Sequence, residues 1–252
     1  MAAALLGLGA GPARAQDAPV VAAAADLQFA LAEVADAFSK ETNREVKLAF
    51  GSSGNFFRQI RQEAPFQMFL SADEQLVFDL AAKGLTEGDG ALYAVGRIVI
   101  IAPHGSPLKV DGELADLKAA LADGRLKKFA IANPEHAPYG SRAEEVLRHI
   151  GVWEEIKDRL VFGENVARAA QFATSGAAQG GIIAYSLALS PDVSKLGSYA
   201  LIPEEWHQPL NQRMVLLKRA GETARSFYEF MRGPSARAIM RRYGFVLPGE
   251  SS

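Results

Sequence analysis

Four short stretches carry the residues best suited to chemistry: Ala24-Ala25-Asp26, Gly51-Ser52-Ser53-Gly54, Pro138-Tyr139-Gly140 and Glu164-Asn165-Val166. Each sits where an apolar run gives way to helical spacing, as at a strand-to-helix turn. The first amides of a helix have no partner within it and carry a partial positive charge. Several such turns converging on one point therefore make an anion site without Arg or Lys. Ser53 adds a hydroxyl donor and Tyr139 a phenol. Neutral donors suit a fully deprotonated oxyanion, whose oxygens only accept, and they avoid the indiscriminate attraction of a cation. Selectivity then follows from pocket size. Taken singly, the same residues have plainer readings. Ser53 and Asp26 are good helix N-caps, Gly51 and Gly54 permit a turn, and Tyr139 between proline and glycine suits a surface or hinge position.

The elements that must position these turns can be read from periodicity. Val20–Ala24 reads as a buried strand, and Leu27, Ala30, Leu31, Val34 and Phe38 then recur at helical spacing. Strands at 45–50 and 66–70 continue the series, with a helix begun by Phe57 and Ile60 between them and another opened by Ser71-Ala72-Asp73. A second series has strands at 97–102, 128–132, 160–162 and 181–185 with helices between them, at 114–121, 140–150 and 166–175. The chain returns through strands at 199–202 and 212–217 to two closing helices. This alternation predicts an α/β protein of two lobes with mainly parallel sheets, joined by crossing strands. The expected division is residues 16–96 with 203–252 as one lobe and 97–202 as the other. A ligand cleft lies between them, facing the C-terminal strand ends, and bending is expected at 93–95 and 199–202.

Composition excludes several classes. The formal net charge is −2 and the Lys and Arg residues are scattered, so a nucleic-acid or membrane-surface footprint is missing. Cysteine is absent, which removes thiolate metal sites and cysteine nucleophiles. The four histidines, His104, His136, His149 and His207, have no metal-ligand spacing and read as surface or hydrogen-bonded structural residues. A hydrolase using Ser53 is the rival from another class. However, Gly51-Ser52-Ser53-Gly54 lacks the spacing of a nucleophile elbow, and P-loop and dinucleotide motifs are absent. The sequence is therefore read as a non-enzyme without a cofactor. Residues 1–15, ending in Ala13-Arg14-Ala15, fit an apolar core and cleavage site of a signal peptide, although a basic start is missing. The expected product is exported, soluble, periplasmic and monomeric.

Across almost the whole of its length after residue 15 the chain resembles the molybdate-binding periplasmic proteins of ABC transporters. The stretches that carry the resemblance are 22–27, Gly51-Ser52-Ser53-Gly54 with Gln59-Ile60, Ala64-Pro65-Phe66, and Phe69-Leu70-Ser71-Ala72-Asp73. Asn133-Pro134-Glu135-His136-Ala137-Pro138-Tyr139-Gly140, Glu164-Asn165-Val166, Gly233-Pro234 and Tyr243-Gly244-Phe245 complete them. The resemblance implies a type II periplasmic-binding-protein fold that closes over molybdate or tungstate and delivers it to an ABC transporter permease. It places the oxyanion on Ala25, Asp26, Ser53, Tyr139 and Val166. Phosphate, arsenate or sulfate is the alternative cargo. Two positions depart from the family. Its late tyrosine aligns with Ala184, so Tyr139 is expected to supply the phenol from the opposite side, and Asp26 stands where relatives carry Ser, Thr or Asn. Either the Asp26 side chain turns away to cap its own helix, or its carboxylate accepts a proton from the ligand, which would favour phosphate or arsenate.

Overall fold

The computed structural model describes residues 18–250, so the segment read as a signal peptide lies outside the described residues. Ten strands, β1 (Val20–Ala24), β2 (Lys47–Gly51), β3 (Met68–Ser71), β4 (Ala91–Gly96), β5 (Ile98–Pro103), β6 (Phe129–Ala132), β7 (Leu160–Gly163), β8 (Gly181–Ala184), β9 (Gly197–Leu201) and β10 (Leu210–Leu216), form two five-stranded sheets. Their orders are β2-β1-β3-β10-β4 and β7-β6-β8-β5-β9. The α-helices are α1 (Gln28–Thr42), α2 (Ser53–Arg61), α3 (Glu74–Ala82), α4 (Ala115–Ala122), α5 (Pro138–His149), α6 (Trp153–Ile156), α7 (Val166–Thr174), α8 (Tyr185–Ala188), α9 (Pro191–Ser194), α10 (Glu222–Arg232) and α11 (Pro234–Arg242).

In each sheet three strands run parallel and the fourth in spatial order opposes its neighbours: β10 is antiparallel to β3 and β4, and β5 to β8 and β9. The opposed strands are the ones that arrive from the other lobe, so crossing the cleft imposes their reversal. Alternation along the first-lobe strands builds a core on both faces. Val21 and Ala23 of β1 and Leu70 of β3 pack with Leu31, Phe38 and Phe227 on one side, while Ala22 and Phe69 pack with Phe56, Val77 and Val215 on the other. The second core surrounds the fully buried run Ile98–Ile101 of β5. α1 forms because Ala30, Leu31, Val34 and Phe38 recur on one buried stripe, and it stops at Asn43, a residue that tolerates the left-handed conformation it adopts (φ 54°).

The segment expected to bend is instead part of a sheet. Residues 93–95 lie inside β4, where Ala94 and Val95 pair with β10, and the Val95 N–H donates to Val246 O at 2.7 Å. A single residue, Arg97, separates β4 from β5. Residues 199–201 likewise belong to β9, paired with β5, and the return crossing follows at 202–209. The two crossings, at 97 and 202–209, adjoin both segments where bending is expected.

Candidate functional site

Parallel strands end at the cleft and the helices that follow begin there, so the four turns meet in space. Ala24, Ala25, Asp26, Gly51, Ser52, Ser53, Pro138, Tyr139, Asn165 and Val166 line one small pocket, joined by Ala72 and Ala137. Its cavity volume is about 10 Å³, room for about one water-sized group and far under the roughly 300–1,000 Å³ of sites that hold drug-sized ligands. A sugar or peptide does not fit. A larger and more open groove, about 460 Å³, runs between Gln28 and Phe29 and the helices α7 and α9, with Arg168, Gln171 and Asp192 among its lining residues.

The described residues of the small pocket include no Arg, Lys or His. Its donors are first-turn amides, at Ser53 of α2, Tyr139 of α5 and Val166 of α7, where helical geometry supplies no acceptor, together with those of Ala25 and Asp26 in the short 3-10 turn before α1. Ser53 is not the N-cap. Ser52 holds that place, its Oγ accepting the Asn55 N–H at 3.3 Å. Ser53 is fully buried, and its Oγ accepts the Ala72 N–H at 3.0 Å, which leaves the hydroxyl proton to donate. The Ser71-Ala72-Asp73 turn thus orients the serine, a role its sequence did not signal. Asn165 caps α7, its side chain accepting the Arg168 N–H.

Asp26 is not a cap either, because neither the 3-10 turn nor α1 has a side-chain cap bond. The carboxyl is 1% exposed. Its Oδ2 accepts from Gln212 Nε2 (2.7 Å) and from the Tyr139 hydroxyl (3.0 Å), and Gln212 Oε1 accepts from the Tyr93 hydroxyl (2.7 Å). Gln212 also donates to the Tyr139 oxygen at 3.0 Å. Tyr139 therefore supplies its phenol from the second lobe, but to Asp26. Gln212 and Tyr93 escaped the sequence reading because nothing in a strand pattern distinguishes a buried glutamine that faces a site. Burial pushes the Asp26 carboxyl up to about 6, against the lowering effect of the Gln212 and Tyr139 hydrogen bonds. Burial, and then the charge of Asp26, hold both tyrosines well above the ordinary phenol range.

The raised carboxyl has a consequence for stability. An unfolded Asp ionises near 3.8 and the folded one near 6, so between these values the folded state holds a proton that the unfolded state has lost. This contribution is fully present at low pH and is lost as pH rises to about 6. A shift of about two units corresponds to about 3 kcal/mol. Asp26→Asn should remove that dependence, so melting curves of the two proteins should converge near pH 4 and separate by pH 7, with the variant more stable. Equal melting at pH 7 would contradict the buried carboxyl.

The lobes meet over the pocket. The Gly54 N–H donates to His136 O (3.0 Å), Ser52 Oγ pairs with His136 Nδ1 (3.0 Å), and Asn55 Nδ2 donates to Glu164 Oε1 (3.1 Å). Deeper in, Ser186 Oγ donates to Asp26 O at 2.8 Å. His136 is thus a hydrogen-bonded histidine at the contact between the lobes beside the pocket, one of the two uses the sequence suggested for it. The polar network at Tyr139 gives a second expected result. Tyr139→Phe removes the phenol from a buried carboxyl and amide, so anion affinity should fall about tenfold, the equivalent of one hydrogen bond. Unchanged affinity in a titration would remove the Tyr139 phenol from the site.

The match to known proteins follows the same outline. The family model described as bacterial extracellular solute-binding protein matches residues 19–246, nearly all of the described chain. The chain belongs to that family. Among its solute-binding relatives, the molybdate-binding protein ModA of Rhodobacter capsulatus is 36% identical over 230 residues, 90% of this chain and 87% of the relative. ModA of Escherichia coli (strain K12) is 31% identical over 244 residues, 94% of this chain and 93% of the relative. In structure this solute-binding protein is similar to the periplasmic molybdate-binding protein of Azotobacter vinelandii, with a TM-score of 0.83 and 31% identity over 91% of this chain and 99% of the other. The two-sheet architecture is accordingly the two-lobed substrate-binding fold of the family.

Proposed function

We propose that this solute-binding protein captures molybdate, and tungstate as well, in the pocket between its lobes and delivers it to the membrane permease of an ABC importer. The observation that carries the proposal is the convergence of four helix-initiating turns on one small pocket without a cation among its lining residues. Such a pocket fits an ion that only accepts hydrogen bonds, and the names of the relatives point to the same cargo. Ala25, Asp26, Ser53, Tyr139 and Val166 are the proposed contacts. The protein works as a periplasmic monomer divided at 96/97 and 202/203, and closure buries the anion and presents a closed surface to the transporter. Among the described residues no helix is long and apolar enough to cross a membrane.

The hydrolase reading has no geometric support, because Ser53 Oγ is held by the Ala72 N–H and the histidine beside it pairs with Ser52. Calorimetric titration with molybdate, tungstate, sulfate and phosphate tests the proposal. Tight binding of the first two, with sulfate and phosphate silent, is the expected result. Binding of phosphate or sulfate in preference to molybdate would overturn it.

A further inference from the structure

Asp26 is the only charged residue type among those lining the pocket, and its two oxygens are not equivalent. Oδ2 accepts two hydrogen bonds, from Gln212 and Tyr139. Oδ1 is buried and has no partner. This is the pattern of a neutral acid, with the carbonyl at Oδ2 and the hydroxyl at Oδ1, where an O–H needs an acceptor. An ionised carboxylate would instead leave a charged oxygen buried and unpaired beside an arriving dianion, the costlier arrangement on both counts.

Resting on the proposed oxyanion site, we infer that Asp26 binds the anion as the neutral carboxylic acid, donating from Oδ1 to an anion oxygen. Capture of a fully deprotonated oxyanion then takes up one proton from solvent. The balance is simple: carboxylate, one proton and the dianion become carboxylic acid hydrogen-bonded to the dianion, with no other bond made or broken. Asp26 becomes the residue that favours an acceptor-only ligand, whereas a ligand bearing its own proton would meet a second donor at Oδ1 unless the carboxyl ionised.

The groups around Asp26 leave little else to titrate. Tyr139 of α5 and Tyr93 of β4 stay protonated, both held above the ordinary phenol range. Gln212 of β10, Gln28 at the start of α1 and Ser186 of α8 carry no charge. Tyr185 of α8 packs against Tyr199. Arg168 of α7 lies over Phe172 and bonds Gln171, and Arg97 at the crossing pairs with Glu204. Lys47 of β2 pairs across from Val20, at the strand end remote from the pocket. His136, bonded to Ser52, is the remaining titratable neighbour of the pocket wall. The free carboxyl already sits near 6, so an adjacent dianion raises it further and holds the proton at neutral pH.

The test is calorimetry with molybdate and tungstate at pH 7.5, repeated in buffers of different ionisation enthalpy, which reads the number of protons exchanged. Uptake approaching one proton per anion is expected, with affinity falling about tenfold per pH unit between pH 6.5 and 8. In Asp26→Asn both effects should vanish. Tight binding without proton uptake overturns this inference alone. Uptake that persists in Asp26→Asn also overturns it. Failure to bind either anion would overturn the proposed function, and this inference with it.

Discussion

Gly54→Ala should weaken anion binding by roughly 5- to 150-fold while leaving the melting temperature of the free protein unchanged. A Cβ at residue 54 would lie 2.5 Å from His136 O, a backbone atom of the opposite lobe. Neither partner is a flexible side chain, so the overlap is relieved only by holding the lobes apart. Overpacking of this kind costs about 1–3 kcal/mol, and under the proposed cycle, in which the free protein is open, that cost falls on the closed form. Titration reads the loss of affinity, and small-angle scattering should show the variant with added anion remaining as extended as the free protein. A variant that binds and compacts like the parent would show that the rim contact at His136 plays no part in closure.

Phe38→Ala is expected to have the largest effect on stability. Phe38 is fully buried on α1 and meets the rings of Phe227 (5.1 Å) and Phe230 (5.4 Å) of α10 edge-on. Truncation removes the side chain and leaves a cavity between two helices that cannot collapse around it, a loss of about 3–5 kcal/mol. For a chain of this size the melting temperature should fall by roughly 6–20 °C. Because the residue faces away from the cleft, saturating anion should raise the melting temperatures of variant and parent by similar amounts. A loss of ligand-induced stabilisation would show that α10 couples to the pocket.

How much of this was legible in the sequence depends on distance along the chain. The four turns could be read because each is local: small residues, a cap and the start of a helical stripe fall within a few positions. Their convergence followed from the alternation of strands and helices. β4 was missed because Tyr93 and Val95, apolar and next to a glycine, resemble a connecting segment; only the pairing with β10 and the bridge to Val246 show them to be sheet. Asp26 and Ser53 were open to a cap reading because a cap is the commonest local use of either residue. Their actual partners, Gln212 at a separation of 186 residues and Ala72 at 19, are tertiary and leave no local trace.

The one-residue crossing at Arg97 lies beside the buried polar network. Gly96, at the end of β4, has no Cβ, and one added there would fall on the Tyr139 hydroxyl and the Gln212 amide. In the proposed closure the lobes would act as two arms of a lever whose fulcrum lies next to Asp26 and whose tips are Gly54 with His136 and Asn55 with Glu164. A small rotation moves the fulcrum least and the tips most. On that proposal, chemistry would be discriminated where the arms hardly move, and occupancy would be displayed at the rim, where the same rotation is largest and the proposed membrane partner could measure it.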